Sequence, residues 1–345
     1  MRMTERERAL EERFEEAERM GLLLWPESNA ELKALSRRVQ SGRVVRPWTG
    51  MYAREGFWET MDGQERKRAV CILKTRALMW PGTVYCGVSA AVLHGLWVSH
   101  ALLGQIHILS ARTRGGGSVG FSGRRAAAED GDADAARTVF RAAVAGQTVE
   151  VQGCRATDIV STLIDCAIRL PLHEALPLFD CALRYRLVEK DELLRFLNRC
   201  NFRGIRAERA FQAIAYADGR SENGGESLVR GLIYELGYMP PHELQMELED
   251  PIDEGQTMRA DQFWDLPEGG VVGEVDGLGK YREGALQELV KERRRESHIA
   301  ALGYRVMRIQ FARVFEPGYL EGLLKAFGIP RREGDVLDAG SRSVE

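Results

Sequence analysis

The sequence predicts a multidomain α/β protein, and three observations lead to that fold class. Apolar residues recur at helical spacing over long stretches such as 159–168. Short runs with strand character, including 271–276 and 305–311, lie between the helical stretches. The 345 residues are enough for two or three domains with cores of their own. A polar, glycine-rich stretch at 218–225 predicts a boundary between them.

The first 60 residues predict a winged helix. Residues 4–20 have the composition of a charged helix, and a second helix over Asn29–Gln40 has Ser28 or Asn29 available as N-cap. Residues 43–54 then predict two short strands that turn at 48–50. A helix followed directly by a basic hairpin is typical of DNA-reading modules. The arginines expected to contact DNA are Arg37, Arg38, Arg43, Arg46 and Arg54. The alternative is a small helix–hairpin cap whose arginines are only solvated.

Residues 61–217 predict an α/β middle region and a helical connector, in which helices predominate and a few short strands lie between them. Helical periodicity covers 64–79 and 89–96, and it returns from about 158 to 200. Strands are expected at Gln105–Leu109 and 149–151. The segments 113–118 and 126–136 predict loops, because one is rich in glycine and the other in alanine and aspartate.

The last domain, at 222–330, predicts the order helix, three strands, helix, strand, helix. Glu226 opens the first helix, and an extended segment at 241–248 follows it. Residues 258–277 predict an acidic hairpin, because proline and paired glycines at 266–270 separate two short β-like runs. A charged helix at 285–302, a strand at 305–311 and a helix at 319–327 complete the domain, and 331–345 is a charged tail.

The acidic hairpin carries the main candidate functional residues. Residues two apart in a strand share a face, so Glu274 and Asp276 are expected on the same side. With Asp261 beside them across the hairpin, three carboxylates converge, which is costly unless a cation lies between them. A hard divalent cation such as Mg²⁺ or Mn²⁺ suits an all-oxygen cluster. The alternative is a solvated acidic surface, since 29% of the chain is charged.

The composition limits the classes of protein that fit this chain. A net charge of -3 gives no global basic signal, so contact with nucleic acid has to come from local patches. The six cysteines include no C-x-x-C pair, which argues against a zinc site and a disulfide framework. The N-terminus is charged, unlike a signal peptide, and no apolar run reaches transmembrane length. We therefore expect a soluble cytoplasmic protein without a membrane partner.

Several short motifs resemble known families. In chain order they are 225–227 with Arg230, then 259–261, 274–277 and 303–308. Together they resemble the PD-(D/E)XK nuclease superfamily, and within it the Vsr-like, very-short-patch-repair-type endonuclease domain, over roughly residues 222–328. The preceding part is similar, more loosely, to AbiEi-type antitoxins, through Gly50-Met51-Tyr52 and through 89–91 with His94-Gly95.

The nuclease resemblance implies a restriction-endonuclease-like mixed sheet and Mg²⁺-dependent hydrolysis of DNA. Asp261, Glu274 and Glu226 would hold one or two Mg²⁺ or Mn²⁺ ions, with Asp276 in support. The position where E-x-K members carry a lysine is Asp276, so Lys280 becomes the candidate to assist, unless it is a surface residue. The antitoxin likeness implies a cognate toxin or a phage-defence partner.

Two other functions stay open at this point. One is a DNA-binding regulator, of the antitoxin or autorepressor kind, whose nuclease fold is inactive. It is favoured by the arginine-rich helix and wing and by the missing E-x-K lysine. The other is an interaction scaffold without a nucleic-acid role, in which the middle helices serve as a docking surface.

Overall fold

The computed structural model describes residues 4–110, 137–141, 144, 146–200, 202–277 and 285–332. Within these ranges the chain forms helices and mixed sheets, which confirms the predicted α/β class. The loops expected at 113–118 and 126–136, most of the tail, and Lys280 lie outside the described residues. In the part of the chain that is described, no helix combines the length and the apolar character needed to cross a bilayer.

The first part of the chain alternates helices with short strands. Its elements are α1 (Glu5–Arg19), α2 (Asn29–Gln40), β1 (Val44–Trp48), β2 (Met51–Arg54), α3 (Glu55–Glu59), α4 (Glu65–Met79), β3 (Val84–Tyr85), α5 (Gly87–His94), β4 (Gln105–Leu109), β5 (Arg137–Arg141), β6 (Thr148–Val151), β7 (Cys154–Thr157) and α6 (Ile159–Ala167).

The second part has four helices in succession before its strands begin. Its elements are α7 (Leu172–Arg184), α8 (Lys190–Cys200), α9 (Ile205–Tyr216), α10 (Gly224–Glu235), β8 (Glu243–Glu249), β9 (Thr257–Trp264), β10 (Val271–Asp276), α11 (Ala285–Ala301), β11 (Arg305–Gln310) and α12 (Tyr319–Ala326).

The chain divides into two compact units. The first comprises Met1–Arg169 and Asp191–Ala207, and the second comprises Leu170–Lys190 and Glu208–Glu345. The polar stretch 218–225 lies inside the second unit, where Ser221 is buried and the amide of Asp218 donates to Asp180 Oδ1 at 2.7 Å. The further division of the chain at residues 60 and 217 stays a prediction.

The N-terminal elements of the first unit form a helix–helix–hairpin module. Ser28 is the N-cap of α2, because its side chain accepts from the amide of Glu31 at 3.2 Å. The strands β1 and β2 pair antiparallel around the expected turn, and an isolated bridge joins Leu24 to Tyr52. Leu24 and Tyr52 belong to a buried apolar cluster with residues of both helices. The predicted order of helix, helix and hairpin is therefore present.

A five-stranded sheet in the first unit contains the strands expected at Gln105–Leu109 and 149–151. Its strand order is β5-β4-β3-β7-β6, with β4/β5 and β3/β7 parallel and the other pairs antiparallel. The strands are two to five residues long, too short for a clear period of two in the sequence. The central β3 consists of Val84–Tyr85 alone, and Tyr85 is fully buried. The middle region is thus mixed α/β.

The sheet of the second unit has the strand order β11-β10-β9-β8. The pairs β8/β9 and β9/β10 are antiparallel, whereas β10 and β11 are parallel and are connected through α11, as a parallel pair requires. One apolar cluster joins Trp264 to residues of α10 and α12, and another joins Phe263 to Ile299 of α11. The predicted order of helix, three strands, helix, strand and helix is observed.

In this unit a buried ion pair fixes α10 against α7. Arg230 of α10 pairs with Asp180 of α7, and the two side chains are 5% and 0% exposed. Arg230 also donates to the carbonyl of Tyr216. The helices approach closely beside this pair, because a Cβ at Gly231 would clash with the backbone of His173. Burial raises the pKa of Asp180, and the positive charge of Arg230 acts in the opposite direction. The Asp180 carboxylate therefore needs the guanidinium of Arg230 to stay ionised.

We expect Asp180→Ala to destabilise the second unit by about 3 to 5 kcal/mol, because Arg230 would be left buried without its anion. Urea unfolding followed by circular dichroism measures this loss. The control is Arg220→Ala, which removes an ion pair with Asp218 whose side chains are 53% and 26% exposed, and this change should cost less than about 1 kcal/mol. Equal losses in the two variants would contradict the role assigned to the buried pair.

Candidate functional site

Three carboxylates from different elements lie near one another in the second unit. Glu226 is in the first turn of α10, Asp261 is in β9 and Glu274 is in β10. Glu226 and Glu274 are 5% and 6% exposed, and Asp261 is half-buried. The negative charge of Asp261 contributes to a raised pKa at both glutamates. We call Glu226, Asp261 and Glu274 the acid cluster.

The start of α10 holds Glu226 in place. Asn223 Oδ1 accepts from the amides of Gly225 and Glu226 at 2.9 and 3.1 Å. In return, the Glu226 carboxylate accepts from the amide of Glu222 at 2.9 Å and from Asn223 Nδ2 at 2.6 Å. This reciprocal capping explains why a glutamate stands here. These donors are neutral groups, so they orient the carboxylate without compensating its charge.

Gln245 connects two members of the acid cluster. Its Nε2 donates to Glu226 Oε2 at 3.0 Å, and its side chain also hydrogen-bonds to Asp261. The φ of Gln245 is 54°, in the left-handed region that a residue with a side chain rarely adopts. Such strained positions persist where the surroundings hold them, and they concentrate at functional sites. Gln245 was not among the residues predicted from the sequence, because an alternating strand pattern carries no signal for a positive φ.

Burial is the main cause of the raised carboxyl pKa values in the acid cluster. It raises the pKa of Glu226 to about 7, with the charge of Asp261 adding to the effect. It also raises the pKa of Asp261, against the amide of Val275, which donates to Asp261 Oδ2 at 3.2 Å. At Glu274 burial raises the pKa against the opposing charge of Arg295. Carboxyl groups shifted in this way are typical of functional sites, although buried structural networks share the property.

Two arginines bring positive charge to Glu274. Arg308 of β11 lies opposite Glu274 in the parallel β10–β11 pair. Its Nε donates to Asp276, one Nη to Glu274 and the other Nη to Glu292, each at 3.1 Å. Arg295 of α11 pairs with the other oxygen of Glu274. Glu274 and Asp276 therefore bind the same guanidinium.

The structure places four of the five predicted catalytic residues in one region. Glu226, Asp261 and Glu274 form the acid cluster, and Asp276 lies beside it against Arg308. Lys280 lies outside the described residues. The contact of Arg308 with this region was not predicted, because the sequence of 303–308 does not indicate which strand lies next to it.

The five arginines predicted to contact DNA fall into two groups. Arg38 and Arg54 pair with glutamates of α1: Arg38 Nη1 donates to Glu11 at 2.6 Å, and Arg54 Nε donates to Glu18 at 2.7 Å. The exposed arginines are Arg37, Arg43 and Arg46. Arg37 Nε donates to a backbone carbonyl of its own helix at 3.3 Å. A carbonyl is neutral, so this hydrogen bond does not neutralise the charge of Arg37.

A second group of ligand-type side chains lies elsewhere in the same unit. Among the described residues, Asp250, Asp253 and His298 place one ligand atom each within 4.8 Å of one another. The acid cluster does not meet this spacing, so a cation that contacts all three of its carboxylates requires side-chain rotation. The sequence gives no hint of the second group, because His298 is 45 residues or more from both aspartates.

The relation of this chain to known proteins rests on its short motifs. No protein-family model matches the chain, and no curated protein matches it. The likeness to the PD-(D/E)XK superfamily and to AbiEi-type antitoxins accordingly stays a prediction.

We expect the Glu226→Gln variant to gain stability relative to the wild type as the pH rises from 4.5 to 8. The pKa of Glu226 is about 7 in the folded protein and 4.5 as an ordinary glutamate. Between pH 4.5 and pH 7 the folded wild type therefore keeps a proton that the unfolded chain releases, so the wild type loses stability across this window and the glutamine variant does not. The expected gain is about 1 to 2 kcal/mol after allowance for solvent screening.

Urea unfolding at pH 5 and at pH 8 measures this gain. Any constant effect of the amide on the helix cap cancels in the comparison of the two pH values. A difference between variant and wild type that is the same at both pH values would contradict a buried, proton-binding Glu226.

Proposed function

We propose that the protein is a DNA-binding, metal-dependent endonuclease whose second unit hydrolyses phosphodiester bonds. The observation that carries this proposal is the acid cluster, in which burial raises the pKa of three neighbouring carboxyl groups. Carboxylates held together away from water are stabilised by a cation. The observed order of elements and the four motifs support a nuclease fold by resemblance.

The donor atoms of the acid cluster suit a hard divalent cation. Mg²⁺ and Mn²⁺ prefer carboxylate oxygens, and Glu226 and Asp261 receive hydrogen bonds from neutral amides. These two residues, with Glu274, would hold the ion. Glu274 has to give up a guanidinium contact to do so. When bound, the cation would activate water and offset negative charge on the phosphate.

Protein groups supply the remaining chemistry. Arg308 is charged at every working pH and 28% exposed, so its guanidinium can offset charge that develops on a phosphate oxygen. Arg308 donates a hydrogen bond to Asp276. By the resemblance, Asp276 occupies the position where the superfamily carries its lysine. Gln245 keeps Glu226 oriented toward Asp261.

The N-terminal module of the first unit is the proposed DNA-binding surface. Arg37, Arg43 and Arg46 extend into solvent from α2 and the hairpin. Exposed arginines on a helix and an adjoining hairpin are suited to phosphate contacts. Arg38 and Arg54 are expected to contribute mainly to the packing of α1, because their charges are already paired.

A second function is favoured by the arginines at Glu274. Arg308 and Arg295 already compensate Glu274, and Arg308 also compensates Asp276. A site neutralised in this way fits a nuclease fold without activity, in a DNA-binding regulator of the antitoxin or autorepressor kind. The two functions differ in one observable property, which is whether the acid cluster takes up Mg²⁺ or Mn²⁺.

We expect wild-type protein with Mn²⁺ or Mg²⁺ to cleave plasmid DNA, and Asp261→Asn to lower the rate about 100-fold or more. The variant loses a cation ligand that also acts in the transition state. Gel assays of nicked and linear DNA measure the rate, and calorimetry measures ion binding. The control is Asp265→Asn, an exposed carboxylate at the end of β9.

Each outcome of this experiment discriminates between the two functions. Cleavage that depends on Asp261 and not on Asp265 supports the endonuclease. Wild-type protein that binds DNA, takes up no ion at the acid cluster and leaves the DNA intact contradicts the endonuclease and supports the regulator.

We expect Arg43→Gln with Arg46→Gln to weaken DNA binding and to flatten its dependence on salt. Each lost phosphate contact lowers the slope of log K against log salt concentration by about 0.9, so the double variant should lose about 2. Fluorescence anisotropy at several salt concentrations measures the slope. The matched control, Arg38→Gln with Arg54→Gln, should keep the wild-type slope. An unchanged slope in the first variant would contradict this surface.

A further inference from the structure

We infer that Asp250, Asp253 and His298 form a second metal site, suited to a transition-metal dication such as Zn²⁺ and separate from the acid cluster. The site lies in the second unit, where the connection between β8 and β9 meets α11. Asp250 Oδ2 is 2.8 Å from His298 Nδ1, and Asp253 Oδ2 is 3.9 Å from the same nitrogen. One imidazole and two carboxylates thus converge from two elements.

Burial distinguishes this group from a solvated acidic turn. The side chains of Asp250 and His298 are 7% and 8% exposed. His298 is therefore already removed from water, so a metal would not bear the full cost of desolvating this ligand. The third ligand, Asp253, is 37% exposed and borders an open cleft of about 760 Å³. That cleft gives a metal ion a path of entry and leaves room for water as a further ligand.

The backbone orients Asp250 toward the site. Its Oδ1 accepts from the amides of Ile252 and Asp253, both at 3.0 Å, which directs Oδ2 to His298. On the other side, His298 is anchored by its position in α11 next to the buried Ile299. Ligands held by their own supporting contacts lose little freedom when a metal binds.

The types of donor select the metal. Imidazole nitrogen with carboxylate oxygen is a ligand set for Zn²⁺ and its neighbours in the first transition row, whereas Mg²⁺ prefers oxygen alone. We therefore assign Zn²⁺ chemistry to this group and Mg²⁺ or Mn²⁺ chemistry to the acid cluster. The inference does not depend on nuclease activity.

Arg294 competes with a metal for Asp253. Its Nη2 donates to both carboxylate oxygens, at 2.7 and 2.6 Å. The Arg294 side chain is 61% exposed, so it can leave the carboxylate at little cost. A bound metal would replace its charge and tie α11 to the β8–β9 connection. Because α11 also carries Arg295, which pairs with Glu274, this tie would steady one wall of the acid cluster.

Zn²⁺ titration of the full-length protein by calorimetry tests the inference. We expect one Zn²⁺ per chain bound at this site, with Mg²⁺ in excess failing to displace it. His298→Ala should weaken the binding by more than about 100-fold, since even a supporting partner of a ligand is worth 10- to 100-fold. Arg294→Ala should strengthen it about two- to five-fold, because the competing ion pair is gone.

Two further variants locate the ion. Asp253→Ser changes a partly exposed side chain, and it should also abolish tight binding, even if His298→Ala fails to fold. Glu274→Gln, in the acid cluster, should leave Zn²⁺ binding unchanged. Zn²⁺ binding that survives in Asp253→Ser, or that is lost only in Glu274→Gln, would overturn the assignment. So would the absence of Zn²⁺ binding in the wild type.

Discussion

The second unit depends on the buried ion pair between Asp180 and Arg230. A charge at either position without its partner would be costly in so apolar a place, so the two helices that carry them must stay together. That constraint, with the close approach at Gly231, sets the position of α10. The first turn of α10 presents Glu226, whose carboxylate accepts a hydrogen bond from Gln245 of β8. An interaction with no chemical role thereby determines the geometry of the acid cluster.

The acid cluster is a balance between burial and charge. Burial favours the protonated carboxyl groups. At Glu226, Asp261 and Glu274 its effect exceeds that of the hydrogen bonds and positive charges, so the pKa of each is raised. Positive charge is distributed unevenly, because Arg295 and Arg308 lie on the side of Glu274 while amides serve Glu226. The end at Glu226 is thus the part with the least positive charge, whereas the charge of Arg295 also acts to lower the pKa of Asp261. This asymmetry is the physical reason for the metal in the proposed function.

Local patterns in the sequence account for much of the fold and part of the site. The cap at Ser28, the limits of α2 and the strand β4 follow from local propensity and agree with the structure. The period of two in β10 places Glu274 and Asp276 on one face, and both bind Arg308. Within the five-stranded sheet, β5 and β7 were not predicted, because strands of four or five residues carry almost no periodic signal.

The sequence by itself determined the α/β class, the order of elements in the second unit and the acids of the hairpin, because these follow from propensity and spacing along the chain. Only the tertiary structure decided which charges are compensated. Arg38 and Arg54 pair with α1, and Arg308 reaches Glu274 through a parallel strand. The contact between His298 and Asp250, which are 48 residues apart, is likewise a result of the tertiary structure. Such contacts arise from packing between distant segments, and no local pattern encodes their partners.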